Sequence, residues 1–179
     1  MSRYWFTSDS HFGHKNIINL CHRPFKSVFH MDKTIINNWN SRVKDNDTVF
    51  HLGDFAYRNS LSVNSYEKYL NGKLILIRGN HDHNNNNKTV IEHVMIYMGK
   101  RNIFLTHDPD FASGGTYGGS VLTFCGHAHN SWKFKRFEYP KYNVAYDAVN
   151  LSVEMWNYMP VSIEEILKEY EEWKKYETL

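Results

Sequence analysis

The sequence predicts an α+β domain whose polar chemistry collects where its strands end. Three observations lead there. Short aliphatic runs stop, again and again, at a glycine or turn followed by a carboxylate, amide or imidazole. Amphipathic helical spacing appears over about 31–43 and again after Ser162. The chain has 179 residues, 41% hydrophobic and 16% aromatic, enough for one sizeable core, and no repeat, linker or composition break divides it, so a single domain over 1–179 is expected.

Tyr4, Trp5, Phe6 and Thr7 read as the first strand. Beyond it Asp9 and His11, two residues apart, point the same way in extended backbone. Gly13 turns the chain into a short helical or irregular segment at 17–21, closed by Pro24. Ile35, Ile36, Trp39 and Val43 recur at helical spacing, with Asp32 or Ser27 available as the cap. A second strand at 48–52 halts at Gly53-Asp54, and a helix over 61–70 ends at Asn71-Gly72. Leu74, Ile75, Leu76 and Ile77 read as a third strand buried on both faces, and Gly79 as the residue whose freedom permits the turn into Asn80, His81 and Asp82. Residues 94–98 and 102–106 form a β-hairpin about Gly99-Lys100, and its second strand ends on His107. A glycine-rich loop over 110–119 precedes a strand at 120–124, which ends at Gly126-His127-Ala128-His129. Two short strands follow at 133–138 and 148–154. After Pro160, Ser162-Ile163-Glu164-Glu165 has the form of a capping box, opening a helix with Ile163, Ile166, Leu167 and Tyr170 on its apolar face.

The bulk numbers exclude some classes. A net charge of +2 gives no argument by itself for nucleic acid or an anionic membrane. No apolar run reaches the length of a membrane span and the first residues lack the features of a signal peptide, so a cytoplasmic protein is expected. Cys21 and Cys125 lie far apart without CxxC spacing and are expected to be buried free thiols. Eleven histidines in so cysteine-poor a chain raise the prospect of a metal site.

Asp9, His11, Asp54, Asn80, His107, His127 and His129 make up a ligand set of carboxylate, amide and imidazole without thiolate. Such a set suits first-row metals, manganese foremost, then iron, nickel or zinc, rather than a cysteine-bound structural zinc. It is too large for one four- to six-coordinate ion and suits two ions sharing a carboxylate. Each motif alone is weak, since a lone Asp-x-His is more often a surface pair. The repetition carries the reading, because histidines that merely cap turns would not recur after five strands.

In chain order, Asp9-x-His11, Gly53-Asp54, Gly79-Asn80-His81-Asp82, His107 and Gly126-His127-x-His129 resemble the full signature of the calcineurin-like metallophosphoesterase family. The resemblance implies a four-layer αββα sandwich: two packed mixed β-sheets with helices outside and a dinuclear metal site at the strand ends. It implies Asp9, His11 and His129 on a first ion, Asn80, His107 and His127 on a second, and Asp54 bridging both. His81 would stand beside the substrate as transition-state stabiliser or general acid, with Asp82 either orienting its ring or capping the turn. Two cations about 3.5–4 Å apart can bind phosphate oxygens and share a hydroxide nucleophile, and an imidazole can protonate a leaving oxygen near neutral pH.

One branch is not matched. The protein Ser/Thr phosphatases carry Asp-Arg-Gly after the Gly-Asp, whereas here Phe55, Ala56, Tyr57 and Arg58 follow, so Arg58 is a candidate phosphate contact without its acidic neighbour. His11-Phe12-Gly13-His14, Arg23-Pro24-Phe25, Trp39-Asn40 and Pro160-Val161-Ser162 resemble instead small microbial and phage phosphoesterases. His14 and Arg23 are further candidate substrate contacts. A chain of this length leaves little for a cap, so an open site is expected, with a phosphate-ester substrate and a phosphodiester before a monoester. Monoester hydrolysis, nucleotide pyrophosphate cleavage and a non-catalytic scaffold on the same fold are the alternatives. Trp132-Lys133-Phe134-Lys135-Arg136-Phe137 interleaves bases and aromatics, as a site for a nucleotide or single-stranded nucleic acid would; a solvated edge strand guarded by lysines is the preferred reading.

Overall fold

A computed structural model describes residues 2–57, 63–82, 91–114 and 121–177. Two mixed sheets pack face to face. The first has the order β3-β2-β1-β9, from β1 (Tyr4–Thr7), β2 (Thr48–His51), β3 (Lys73–Leu76) and β9 (Val161–Ser162). In it β1, β2 and β3 run parallel, and β9 returns antiparallel to β1. The second has the order β4-β5-β6-β8-β7, from β4 (His93–Met98), β5 (Arg101–Thr106), β6 (Leu122–Cys125), β7 (Phe134–Tyr139) and β8 (Val144–Asn150). There β5, β6 and β8 are parallel, with β4 and β7 antiparallel at the edges.

The strand alternation sets the layers. Phe6 and Phe50 of the first sheet meet Ile103, Leu105, Phe124 and Val149 of the second in the central core. On the other face of the first sheet, Trp5 and Val49 pack against Trp39 and Val43, the latter just past α2 (Val28–Arg42). The short helices α1 (Lys15–Leu20) and α3 (Val63–Glu67) lie on the same side, where Ile17 and Tyr66 join Met31 and Ile35. Helix α4 (Ile163–Glu177) seals the central core with Ile163, Ile166 and Tyr170. Beyond the second sheet, the 3-10 segment Pro109–Gly114 lies against β5, β6 and β8, and Tyr146 donates to the Pro109 carbonyl.

Most sequence expectations hold, and several need adjustment. Ser27 caps α2 by accepting the His30 N–H, whereas Asp32 sits inside the helix and accepts from Gly13 N–H and the Tyr66 hydroxyl. The capping box forms reciprocally: Ser162 N–H donates to Glu165 Oε2 at 2.9 Å and Glu165 N–H to Ser162 Oγ at 3.3 Å. The third strand is not central. β3 is an edge strand with Lys73 exposed and Leu74 and Ile75 only half-buried, although Ile77 beyond it is fully covered. The strand expected at 148–154 lies earlier, as β8, because Asn150 and Ser152 turn inward and a 3-10 segment, Val153–Trp156, follows. Cys21 and Cys125 are buried free thiols. The Asn84–Asn87 tract and residues 115–120 of the glycine-rich loop fall outside the described residues. No described helix is long and apolar enough to cross a membrane.

The basic, aromatic run over 132–137 leads into edge strand β7. Lys133 pairs with Glu169 and lies 3.7 Å over Trp156, Arg136 bridges to Asp147 and Glu138, and Lys135 lies 4.6 Å over Phe137. Its cations are engaged within the fold and lend a nucleic-acid partner no support.

Candidate metal centre

The parallel strands of both sheets end at one seam, and pairing continues past their ends. Asp9 N–H reaches Gly53 O, His11 N–H reaches Asp54 O, Gly126 N–H reaches His107 O, and Ser8 bridges Ser152 across the sheets. The ligand-type residues therefore leave their strands side by side.

On one side of the seam Asp9, His11 and His129 present ligand atoms within 4.8 Å of one another, and on the other so do Asp9, Asp54 and His107. Asp54 stands between: its Oδ2 is 3.4 Å from His11 Nε2 and 3.5 Å from His107 Nε2. Asn80 Oδ1 lies 2.9 Å from His107 Nε2 and 3.1 Å from His127 Nδ1, which draws those three together. His107 Nδ1 lies 2.8 Å from the Leu52 carbonyl, so that nitrogen carries the proton and Nε2 is left to face Asp54.

The backbone takes an uncommon path to do this. Asp9 (φ 56°), His11 (φ 50°), Asp54 (φ 54°), His127 (φ 67°) and His129 (φ 46°) all occupy the left-handed region. Gly79 does not, so its role differs from the one expected: a Cβ there would stand 2.2 Å from Asp54 Oδ1. Gly126 is alike, with a Cβ falling 2.4 Å from Asp9 Oδ2. Both glycines make room for carboxylates.

The electrostatics fit a cation. Burial disfavours a charged His107, but Asp54 and Asp9 outweigh it and push the pKa up to about 9. For His129 burial is again outweighed, by Cys21, Glu154 and Asp9, and the pKa rises to about 10. His11 is enclosed so completely that burial wins and its pKa falls well below 6.5. Burial would raise Asp54, yet His107, His11 and the His81 N–H hold it below the usual carboxylate range. Carboxylates that favour positive charge on neighbouring imidazoles would favour a bound cation by the same attraction. His11 Nε2 is also buried without a hydrogen-bond partner, as a nitrogen awaiting an ion would be. The residues fit metal ions.

The remaining candidates spread out. His81 is exposed, donates its N–H to Asp54 Oδ1 at 2.9 Å, and has its ring 5.5 Å from that of His11. The Asp82 carboxylate accepts from the N–H groups of Asp54, Phe55 and Gly79, tying the turns after β2 and β3 together. His14 stacks on Tyr57 at 4.1 Å with Nδ1 3.4 Å from His11 Nδ1, and burial lowers its pKa. Arg23 is buried behind the Asp9–His11 turn, its guanidinium bonded to Glu154 and to the Asp9 and Ser10 carbonyls. Arg58 falls outside the described residues. A groove of about 210 Å³ opens beside Asn80, His107 and His127, bounded by Arg78 and Phe111.

Residues that spacing did not flag complete the surroundings. Glu154 Oε1 lies 3.1 Å from His129 Nδ1, Ser152 Oγ donates to Asp9 Oδ2, and buried His51, its pKa pushed by burial down to about 3, bonds Ser10 Oγ. None sits in a local motif. The only available hint was the polar sequence Asn150, Ser152, Glu154 interrupting an apolar run.

Two packed sheets, strand-end carboxylates and imidazoles, and a fit to cations define an α+β fold with a candidate metal centre at its strand ends. The chain matches the calcineurin-like phosphoesterase superfamily domain over residues 6–143. An uncharacterized protein of Methanocaldococcus jannaschii is 38% identical over all of this chain and 97% of its own. The gene 66 protein of Mycobacterium phage L5 is 35% identical over 46% of this chain and 41% of its own. A solved structure from Aquifex aeolicus, of unknown function, superposes with a TM-score of 0.67 at 26% identity, over 94% of this chain and 99% of that one. The chain belongs to the calcineurin-like phosphoesterase superfamily, a metal-dependent family whose substrates are phosphate esters.

Proposed function

We propose that this chain is a dinuclear metal-dependent phosphohydrolase acting on small phosphodiesters ahead of monoesters, with the whole chain as one catalytic unit. Asp9, His11 and His129 would hold one ion and Asn80, His107 and His127 the other, with Asp54 shared between them. The observation that carries this reading is the position of Asp54 Oδ2, nearly equidistant from His11 Nε2 and His107 Nε2. When bound, two such cations, manganese foremost, would grip the phosphoryl oxygens, lower the pKa of a water between them and offset the charge of the transition state.

The chain's own groups supply the rest. Asp54 Oδ1 takes the His81 N–H, which sets that residue at the mouth of the site with its ring free to meet an ester oxygen. From there His81 stabilises the charged phosphoryl group and delivers a proton to the leaving alcohol. The groove beside His107 and His127 offers about 210 Å³ for a second ester arm, which favours a diester. Asp54→Asn tests the reading, since asparagine keeps the volume and tolerates left-handed backbone. With added manganese the variant should lose on the order of 100-fold or more in hydrolysis of a chromogenic phosphodiester, at least the loss typical of disturbing a metal's supporting shell. Parent-like activity in a folded, chelator-treated variant would refute a two-ion mechanism. A parent without bound metal, and inactive with manganese, would indicate a scaffold.

A further inference from the structure

Glu154 and Arg23 form a buried ion pair that touches the candidate metal centre without belonging to its proposed ligand set. The Arg23 side chain is fully covered, and that of Glu154 is 4% exposed. Arg23 Nε and Nη2 lie 2.9 and 2.8 Å from Glu154 Oε1. The far edge of the same guanidinium donates to the Asp9 carbonyl at 2.7 Å and the Ser10 carbonyl at 3.0 Å. Glu154 Oε1 also lies 3.1 Å from His129 Nδ1, while His129 Nε2 turns toward Asp9 Oδ1 at 3.8 Å.

A buried ion pair is poor evidence for stability, because desolvation cancels much of its attraction. Its position here indicates another use. Asp9 and His11 stand in left-handed backbone, φ 56° and 50°, a geometry that persists only where the surroundings hold it. Arg23 grips the two carbonyls between them. An imidazole that binds metal through one nitrogen is set by the partner of the other, and a carboxylate there fixes tautomer and ring angle. Glu154 is such a partner for His129.

We infer that the Arg23–Glu154 pair is a positioning device for the first ion: Glu154 holds His129 with its proton on Nδ1 and Nε2 free, while Arg23 locks the Asp9–His11 turn. The inference rests on the two-ion reading above. A rival arrangement exists at the same place, since Cys21, His129 and Glu154 offer ligand atoms within 4.8 Å of one another. The Arg23 cation 2.8 Å from Glu154 opposes a metal ion there.

Calorimetric titration of the full chain with Mn²⁺ tests the pair, together with ring ¹⁵N spectra of histidine-labelled, Zn²⁺-loaded protein. The parent should take two ions. E154A should weaken one site by about 10–100-fold, the usual cost of removing a metal ligand's outer partner, and leave the other unchanged. E154Q keeps an oxygen at the same reach and should restore most of the affinity. E154D keeps the charge for Arg23 but withdraws the acceptor by one methylene, and should stay weak even if E154A fails to fold. The spectra should place the His129 proton on Nδ1 in the parent and E154Q, and give mixed tautomers in E154D. Equal weakening of both sites, no weakening of either, or E154Q and E154D behaving alike overturns the inference while sparing the two-ion reading. So does a thiolate-to-cobalt absorption band, with Co²⁺ in place of Mn²⁺, that disappears in C21S. A parent that binds no ion overturns both.

Discussion

Five of the residues proposed as ligands, Asp9, His11, Asp54, His127 and His129, hold positive φ angles that most side chains avoid. Asp and His tolerate that region better than bulkier residues, at a cost on the order of 1–3 kcal/mol for a strained position. The strain turns consecutive polar side chains off their strands and toward a common point, so the residue types serve as ligands and as permissible turn formers at once. His81 differs: it is exposed and anchored through its backbone rather than its ring. If its imidazole protonates the departing alcohol, His81→Ala should depress hydrolysis of alkyl esters by about 10²–10⁴-fold, and far less for p-nitrophenyl esters, whose phenolate leaves unaided. Rates across leaving groups of graded pKa check this, and equal losses would assign His81 to charge stabilisation alone. At this scale the sequence was informative, because every proposed ligand except His107, which stands alone at the end of β5, lies in a short contiguous motif. Glu154 was not legible, since its meaning comes from Arg23, 131 residues away in the chain.

Among the elements, the hairpin of β4 and β5, Ser27 as the cap of α2 and the Ser162–Glu165 box of α4 follow from local chemistry and were legible for that reason. β9 is two residues long and exists only by pairing with β1, so no periodicity could announce it. β3 misled because an aliphatic run states that a strand is apolar, not whether a neighbour covers its far side. Helix α4 is tied to the second sheet through Asp147 on β8, which accepts from Tyr170 and Lys174 of the helix and from Arg136 of β7. Burial raises the pKa of Asp147, but those three bonds outweigh it and hold the carboxyl below 3.8. A depressed folded-state value contributes stability above the unfolded pKa, lost as pH falls through the folded one. Asp147→Asn should therefore lower the denaturant midpoint at pH 7, and the gap from the parent should narrow below about pH 4. Unfolding curves at pH 7 and pH 3 check this; a constant gap would mean that the charge contributes nothing.

For the molecule as a whole, the seam between the sheets is the decisive feature. β1, β2 and β3 bring Asp9, His11, Asp54 and Asn80 from one sheet, and β5 and β6 bring His107, His127 and His129 from the other. Ions bound there would link the two halves of the core, so binding should register as global stability. At a free concentration 100 times the dissociation constant, one ion adds about 2.7 kcal/mol, and a domain of this size gains about 2–4 °C per kcal/mol. Manganese should raise the melting temperature by about 5–10 °C for each ion bound, reversibly with chelator, in thermal scans of the full chain. The four-layer arrangement was legible only by resemblance, because nothing in hydrophobic periodicity states which sheet a strand joins. The shared edge of β5, β6 and β8 with β1, β2 and β3 is a long-range fact.

The carboxylate of Asp82 accepts three backbone N–H groups, from Gly79, Asp54 and Phe55. Many phosphate-binding proteins offer such converging amides to their substrate as a ready anion nest. Here the nest is filled from within, by an acid of the same turn. At the ends of β2 and β3 these three amides are thus taken, and an anionic ester would find positive charge in cations and imidazoles instead. By ligating itself, this turn gives up one means of holding phosphate that needs no metal ion.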